Sequence, residues 1–265
     1  MKIKYREKKY FCGEFIEVDI YPVRELPKGK RIRAKPSSVA QKLLNDHNRV
    51  KKLTRLLNTN FTENDVKIEL TYSDKELPAD EDEADRNLRN FFRRIKRFRK
   101  KNNLPELKYI VVTEQGKRTK RFHHHIVMSG GMLLSDIKNI WGKGIIRQTQ
   151  IEYGEKGLDG LAKYMSKNLT NGAVSSNQKL WHASRNLIYP KERTNDNKIS
   201  KRKAKELYEN QECREPFEKL YPDYEYIESE AKLNPLDGQY YICISLRKRQ
   251  IHTSGRKSKQ KGKKK

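Results

Sequence analysis

The most restrictive feature of this chain is the order in which its apolar periodicity changes between residues 66 and 169. Val66-Lys67-Ile68-Glu69-Leu70-Thr71-Tyr72 alternates apolar and polar residues, the period of a half-buried strand. From 82 to about 101, Ala84, Leu88, Phe91, Phe92, Ile95 and Phe98 mark one helical face opposite a densely basic one. Two strands are then predicted at 107–114 and 122–128, joined by the turn-like Gln115-Gly116-Lys117-Arg118-Thr119-Lys120. A short helix over 133–141, a strand over 144–152 and a helix over 157–169 complete the series. This β-α-β-β-α-β-α order predicts an α+β fold, an antiparallel β-sheet with flanking helices.

The flanks are less regular. Residues 10–24 alternate around Phe15 to Tyr21 and predict a strand or hairpin, followed by a basic loop over 27–35. Pro36-Ser37-Ser38 introduces a helix over 39–57, on which Val39, Leu43, Leu44, Val50, Leu53 and Leu57 recur at helical spacing. Beyond 170 no periodicity is clear until a strand predicted within 236–246. The last nineteen residues hold ten Lys or Arg and no acid, the composition of a disordered polycation. The expected organisation is an N-terminal extension over 1–60, a central unit over 61–170, an extension of unassigned role over 171–246, and a basic tail over 247–265.

Charge then narrows the partners. Sixty Lys and Arg against 34 Asp and Glu give a net charge of +26, a single-sign field that a polyanion would compensate. Nucleic acid is the expected partner, because basic residues also crowd the middle, in Arg93-Arg94-Ile95-Lys96-Arg97. Three scattered cysteines, Cys12, Cys213 and Cys243, form no zinc or disulfide framework and suit a reducing compartment. With no signal-peptide pattern and no membrane-length apolar run, the protein is expected in the cytoplasm.

Two local patterns carry chemistry. In His123-His124-His125 alternate residues share a strand face, so His123 and His125 reach toward one ion while His124 points the other way. If the preceding turn closes a regular hairpin, Glu114 falls opposite His123 on the same face. Two imidazoles and a carboxylate with open positions suit a catalytic divalent metal; the plainer reading is a polar strand end without ligand. In Gly157-Leu158-Asp159-Gly160-Leu161-Ala162-Lys163-Tyr164-Met165-Ser166-Lys167, Leu158, Leu161 and Met165 form an apolar stripe. Tyr164 and Lys167 fall beside it, three positions apart and able to meet one ligand. A phenol with an ordinary pKa near about 10 needs a cation or a metal to attack a phosphodiester at neutral pH.

Together these residues resemble the HUH endonucleases, in the rolling-circle replication initiator branch found in phages and plasmids. Ile68-Glu69-Leu70-Thr71-Tyr72 looks like the family's first motif, His123 and His125 its metal motif with Glu114 the upstream carboxylate, and Tyr164-Met165-Ser166-Lys167 its Tyr-x-x-Lys motif. The residue between the ligand histidines is His124 where the pattern has a bulky hydrophobe, so a ligand set using His124 stays open. Asn168 stands where a second tyrosine would be, so the resemblance is to single-tyrosine enzymes.

The resemblance implies nicking and rejoining of single-stranded or hairpin origin DNA through Tyr164, with Lys167 assisting and Mg²⁺ or Mn²⁺ as cofactor. It implies phosphate contacts from Arg93, Arg94, Lys96, Arg97, Lys117, Arg118, Lys120, Arg121 and Lys163. The chain has no phosphate-loop motif, so a host helicase and polymerase are the expected partners. A single-tyrosine transposase or a relaxase of the same superfamily is an alternative, as is a non-enzymatic basic RNA- or DNA-binding module.

Overall fold

A computed structural model describes residues 3–23, 39–116, 118–167, 181–235 and 237–249. The basic loop at 27–35, Lys117, the end of the predicted helix at 168–169 and the tail from 250 onward lie outside the described residues. Strands β1 (Lys4–Cys12) and β2 (Phe15–Val23) form a hairpin, and α1 spans Val39–Asn60. The central unit follows as β3 (Val66–Leu70), α2 (Glu81–Lys101), β4 (Tyr109–Gln115), β5 (Phe122–Met128), α3 (Leu134–Trp141), β6 (Ile146–Gln150) and α4 (Asp159–Ser166). Next come β7 (His182–Ala183), β8 (Lys191–Asn195), α5 (Lys201–Glu209), α6 (Glu215–Leu220), β9 (Tyr224–Asn234) and β10 (Gln239–Lys248). The fold is α+β, built on two antiparallel sheets of five strands, β6-β3-β5-β4-β7 and β8-β1-β2-β10-β9. Among the described residues no helix is long and apolar enough to cross a membrane.

In the first sheet, strand parity divides the side chains between two layers. Ile68, Leu70, Val111, Ile126 and Met128 bury against Phe91, Ile95, Ile137 and Trp141 of α2 and α3. Ile110, Val112 and Val127 face the other way, against Leu53 and Leu57 of α1 and Leu158, Ala162 and Met165 at α4. Helix α2 starts at Asp80, whose carboxylate accepts the Glu83 N–H at 2.7 Å, filling one of the donors a helix start leaves unpaired. At its other end Arg99 is buried, and its guanidinium donates to the carbonyls of Pro105, Ser129 and Gly130.

The second sheet joins chain segments far apart in sequence. The β1–β2 hairpin takes β10 beside β2 and β8 beside β1, so residues from 1–60 and 171–246 share one sheet. Arg247 and Lys248, part of the basic run, extend β10. One face buries Tyr5, Ile16, Val18, Ile20, Ile242, Ile244 and Leu246 under α5 and α6. The other is polar and meets α1, where Arg55 pairs with Glu17 at 2.6 Å and Asp19 at 3.1 Å.

Helix α1 therefore touches both sheets, and it also fixes α4. The Asn58 side chain accepts the Leu158 N–H at 2.7 Å. Gly157 has φ +66, and a Cβ there would lie 2.5 Å from Asn58 Oδ1, so only glycine fits between α1 and the start of α4.

Candidate active site

The face of the first sheet that meets α1 and α4 carries a polar cluster at one end. Register sets it: Glu114 on β4 is opposite His123, and Glu69 on β3 is opposite His125. The two histidines of the middle strand are thus flanked by a carboxylate on either side. The side chains cross diagonally, with His125 Nε2 at 3.3 Å from Glu114 Oε2 and His123 Nδ1 at 3.6 Å from Glu69 Oε1. His125 Nδ1 is buried and has no hydrogen-bond partner among the described residues.

Two imidazoles and two carboxylates are donors that suit a divalent cation, and the orphaned His125 nitrogen fits a site short of one partner. Among the described residues, however, no group of three or more His, Cys, Asp or Glu side chains is arranged to hold a metal ion. Each carboxylate rests on an imidazole instead. Entry of an ion requires these pairs to open.

His124 is turned to the opposite face. It is fully buried, with Nε2 at 2.9 Å from the Tyr72 hydroxyl and Nδ1 at 2.9 Å from Thr113 Oγ1. Either hydroxyl can donate or accept, so a neutral imidazole is satisfied in both tautomers. Occupied on both nitrogens within the α2–α3 layer, it stands apart from the cluster that His123 and His125 join. Burial, and secondarily its histidine neighbours, push its pKa down to about 3. The unfolded chain then takes up a proton below the ordinary value of 6.5 while the folded one does not, so stability is present above that pH and lost as pH falls. Between about pH 7.5 and about pH 5 this group should cost about 2 kcal/mol. Urea denaturation of His124→Gln should show a correspondingly shallower loss over that interval; an equal loss in both proteins would remove His124 as the cause.

Tyr164 lies over the same face as His123 and His125, 45% exposed, with its ring edge-on to His125 at a centroid distance of 5.4 Å. Lys67 Nζ sits 3.7 Å from the Tyr164 ring centroid, a cation–π contact. Partial burial raises the phenol pKa, the Glu69 and Glu114 carboxylates add to the rise, and Arg147 opposes it. At rest the tyrosine is therefore held as a neutral phenol. Lys167 stands one turn on, its N–H donating to the Tyr164 carbonyl at 3.3 Å.

Residues 65–169 match the model of the replication-associated protein ORF2 family. The chain carries a domain of this family. No curated protein and no solved structure matches the chain significantly. The replication-associated domain spans β3 to α4 and holds every residue of the cluster.

Within this domain the expected phosphate contacts scatter. Arg93, Arg94, Lys96 and Arg97 are exposed on α2, which packs on the sheet face away from Tyr164. Arg118 and Lys120 are exposed in the β4–β5 connection, Arg121 pairs with Asp74, and Lys163 pairs with Asp159 at 2.7 Å. The structure brings together instead three residues that the sequence patterns did not assign to the site: Lys67, Glu69 and Arg147. All three occupy strand positions of the same parity, since Glu69 is opposite Arg147 on β6. The alternation of β3 carried that signal, because Ile68 and Leu70 in one layer place Lys67 and Glu69 in the other.

Proposed function

We propose that the protein initiates replication by nicking and rejoining single-stranded origin DNA, with Tyr164 as nucleophile. The observation that carries this reading is the half-exposed Tyr164 hydroxyl-bearing ring packed on His125, above paired histidines and carboxylates, inside a replication-associated domain. The phenol oxygen attacks the scissile phosphorus, a 5′-phosphotyrosyl bond forms, and the bond to the 3′ oxygen breaks, leaving a free 3′-hydroxyl. Attack of a 3′-hydroxyl on the phosphotyrosine reverses the step and rejoins a strand, with no nucleotide hydrolysis. A divalent ion held by His123, His125 and Glu114, Mg²⁺ or Mn²⁺, would polarise the phosphate and cancel the carboxylate field that keeps the phenol protonated.

The chain's own groups do the rest. His125 and Lys67 hold the Tyr164 ring on its edge and its face. Lys67, Arg147 and Lys167 supply positive charge for the phosphate as charge builds on its oxygens. Consistent with the net charge of +26, DNA affinity should fall steeply with salt.

The reading is tested by incubating the protein with labelled single-stranded DNA carrying a candidate origin hairpin, with Mn²⁺ or with EDTA, and looking for a covalent protein–DNA band on a denaturing gel. A metal-dependent band is the expected result. Tight binding with no band on any of several origins would favour a non-enzymatic binding module.

A further inference from the structure

We infer that the groove between α1 and the polar face of the second sheet is a separate binding site for single-stranded nucleic acid, one that takes bases against tyrosine rings. Its lining comes wholly from segments before residue 57 and after residue 188, outside the matched 65–169. Neither the family match nor the Tyr164 chemistry accounts for it.

Aromatic surface defines the groove. Tyr10, Tyr21, Tyr189 and Tyr241 line one cavity of about 670 Å³, within the range of ligand sites. Tyr189 is 69% exposed and Tyr241 38%, although rings of this size are ordinarily covered in a folded protein. Tyr10 sits deeper, stacked under the Arg55 guanidinium at 3.5 Å.

Charge decides which polymer fits. Five Lys or Arg and three carboxylates line the groove. Each carboxylate is already paired: Glu192 with Lys8 at 2.7 Å, Asp19 with Arg55 at 3.1 Å, and Glu230 with Lys232 at 2.7 Å. Lys51 and Lys52 are the surplus. That surplus admits a polyanion but is too small to hold a duplex by phosphates alone, since duplex binding rests on many neutralised charges. Unpaired bases, which stack on any aromatic ring regardless of sequence, suit this lining.

The groove also leads toward α4. It shares His47, Lys51, Glu230 and Cys243 with a neighbouring cleft that reaches Lys156, Asp159 and Lys163, the last of these adjacent to Tyr164. A strand lying in the groove can thus run on to the helix that carries the tyrosine.

The test uses the full chain and a labelled oligothymidylate, followed by fluorescence anisotropy in enough salt to suppress binding by the basic tail. Tyr189→Ala/Tyr241→Ala should weaken binding at least about tenfold, the scale of losing two stacked bases. Tyr189→Phe/Tyr241→Phe, which keeps both rings, should bind as wild type does, and so should Tyr164→Phe. Photo-cross-linking with a halogenated deoxyuridine oligomer should mark peptides containing Tyr189 or Tyr241. Unchanged affinity in the alanine variant, cross-links confined to the tail, or equal competition by a duplex of the same length would overturn the inference. None of these results bears on the nicking chemistry, which the covalent band reads by itself.

Discussion

Tyr164→Phe should abolish the covalent protein–DNA band, lowering adduct formation by more than about 10³-fold, because the variant has no atom to bond to phosphorus. The substitution isolates that role. Phenylalanine keeps the ring, so the edge contact with His125 and the cation–π contact with Lys67 persist. The side chain is 45% exposed, so loss of its hydroxyl leaves no buried partner unsatisfied. Thermal unfolding and DNA affinity should therefore match wild type while the band disappears. If the band survives at comparable rate, another tyrosine is the nucleophile.

Much of this site was legible in the sequence because strand and helix periods are local. Alternation on one strand puts His123 and His125 on one face and sends His124 to the other, and a short hairpin connection sets Glu114 opposite His123. Helical spacing puts Tyr164 beside the apolar stripe of α4, and burial of Ala162 and Met165 confirms which side is the stripe. What stayed hidden depends on pairings between distant segments. Glu69 and Arg147 enter the cluster only through the β5-β3-β6 order, which no local pattern specifies.

The second sheet was hidden for the same reason. Strand β8, Lys191–Asn195, is exposed along its whole length, and β9 is mostly half-exposed, so neither shows the apolar alternation by which a strand is read. Their partners are the N-terminal hairpin and β10, more than two hundred residues from one another in the case of Ile20 and Ile242. The basic face of α2 illustrates the converse limit. Its amphipathic pattern correctly gives a helix, but not which side of the sheet it covers, and it covers the side away from Tyr164.

The joint between the two sheets yields the other large effect: Arg55→Met should destabilise the protein by about 3–5 kcal/mol, the cost of stripping one partner from a buried ion pair. The Arg55 side chain is 12% exposed and that of Glu17 13%, so Glu17 would be left in a poorly solvated place. Burial already raises the Glu17 pKa, and Arg55 is the main group opposing the rise. Without Arg55 the folded-state pKa climbs further above the unfolded one. A carboxylate raised in the folded state takes up a proton on folding, so its penalty is greatest at neutral pH and shrinks as pH falls toward the ordinary value of 4.5. Urea denaturation should accordingly show a wider gap between variant and wild type at about pH 7.5 than at about pH 5. A gap that does not change with pH would mean that lost packing on Tyr10, not the stranded carboxylate, is responsible. Because α1 also receives the Leu158 N–H on Asn58, the same variant should form the Tyr164 adduct more slowly even where it remains folded. The helix that carries the nucleophile is seated on α1, and Arg55 is what ties α1 to the second sheet.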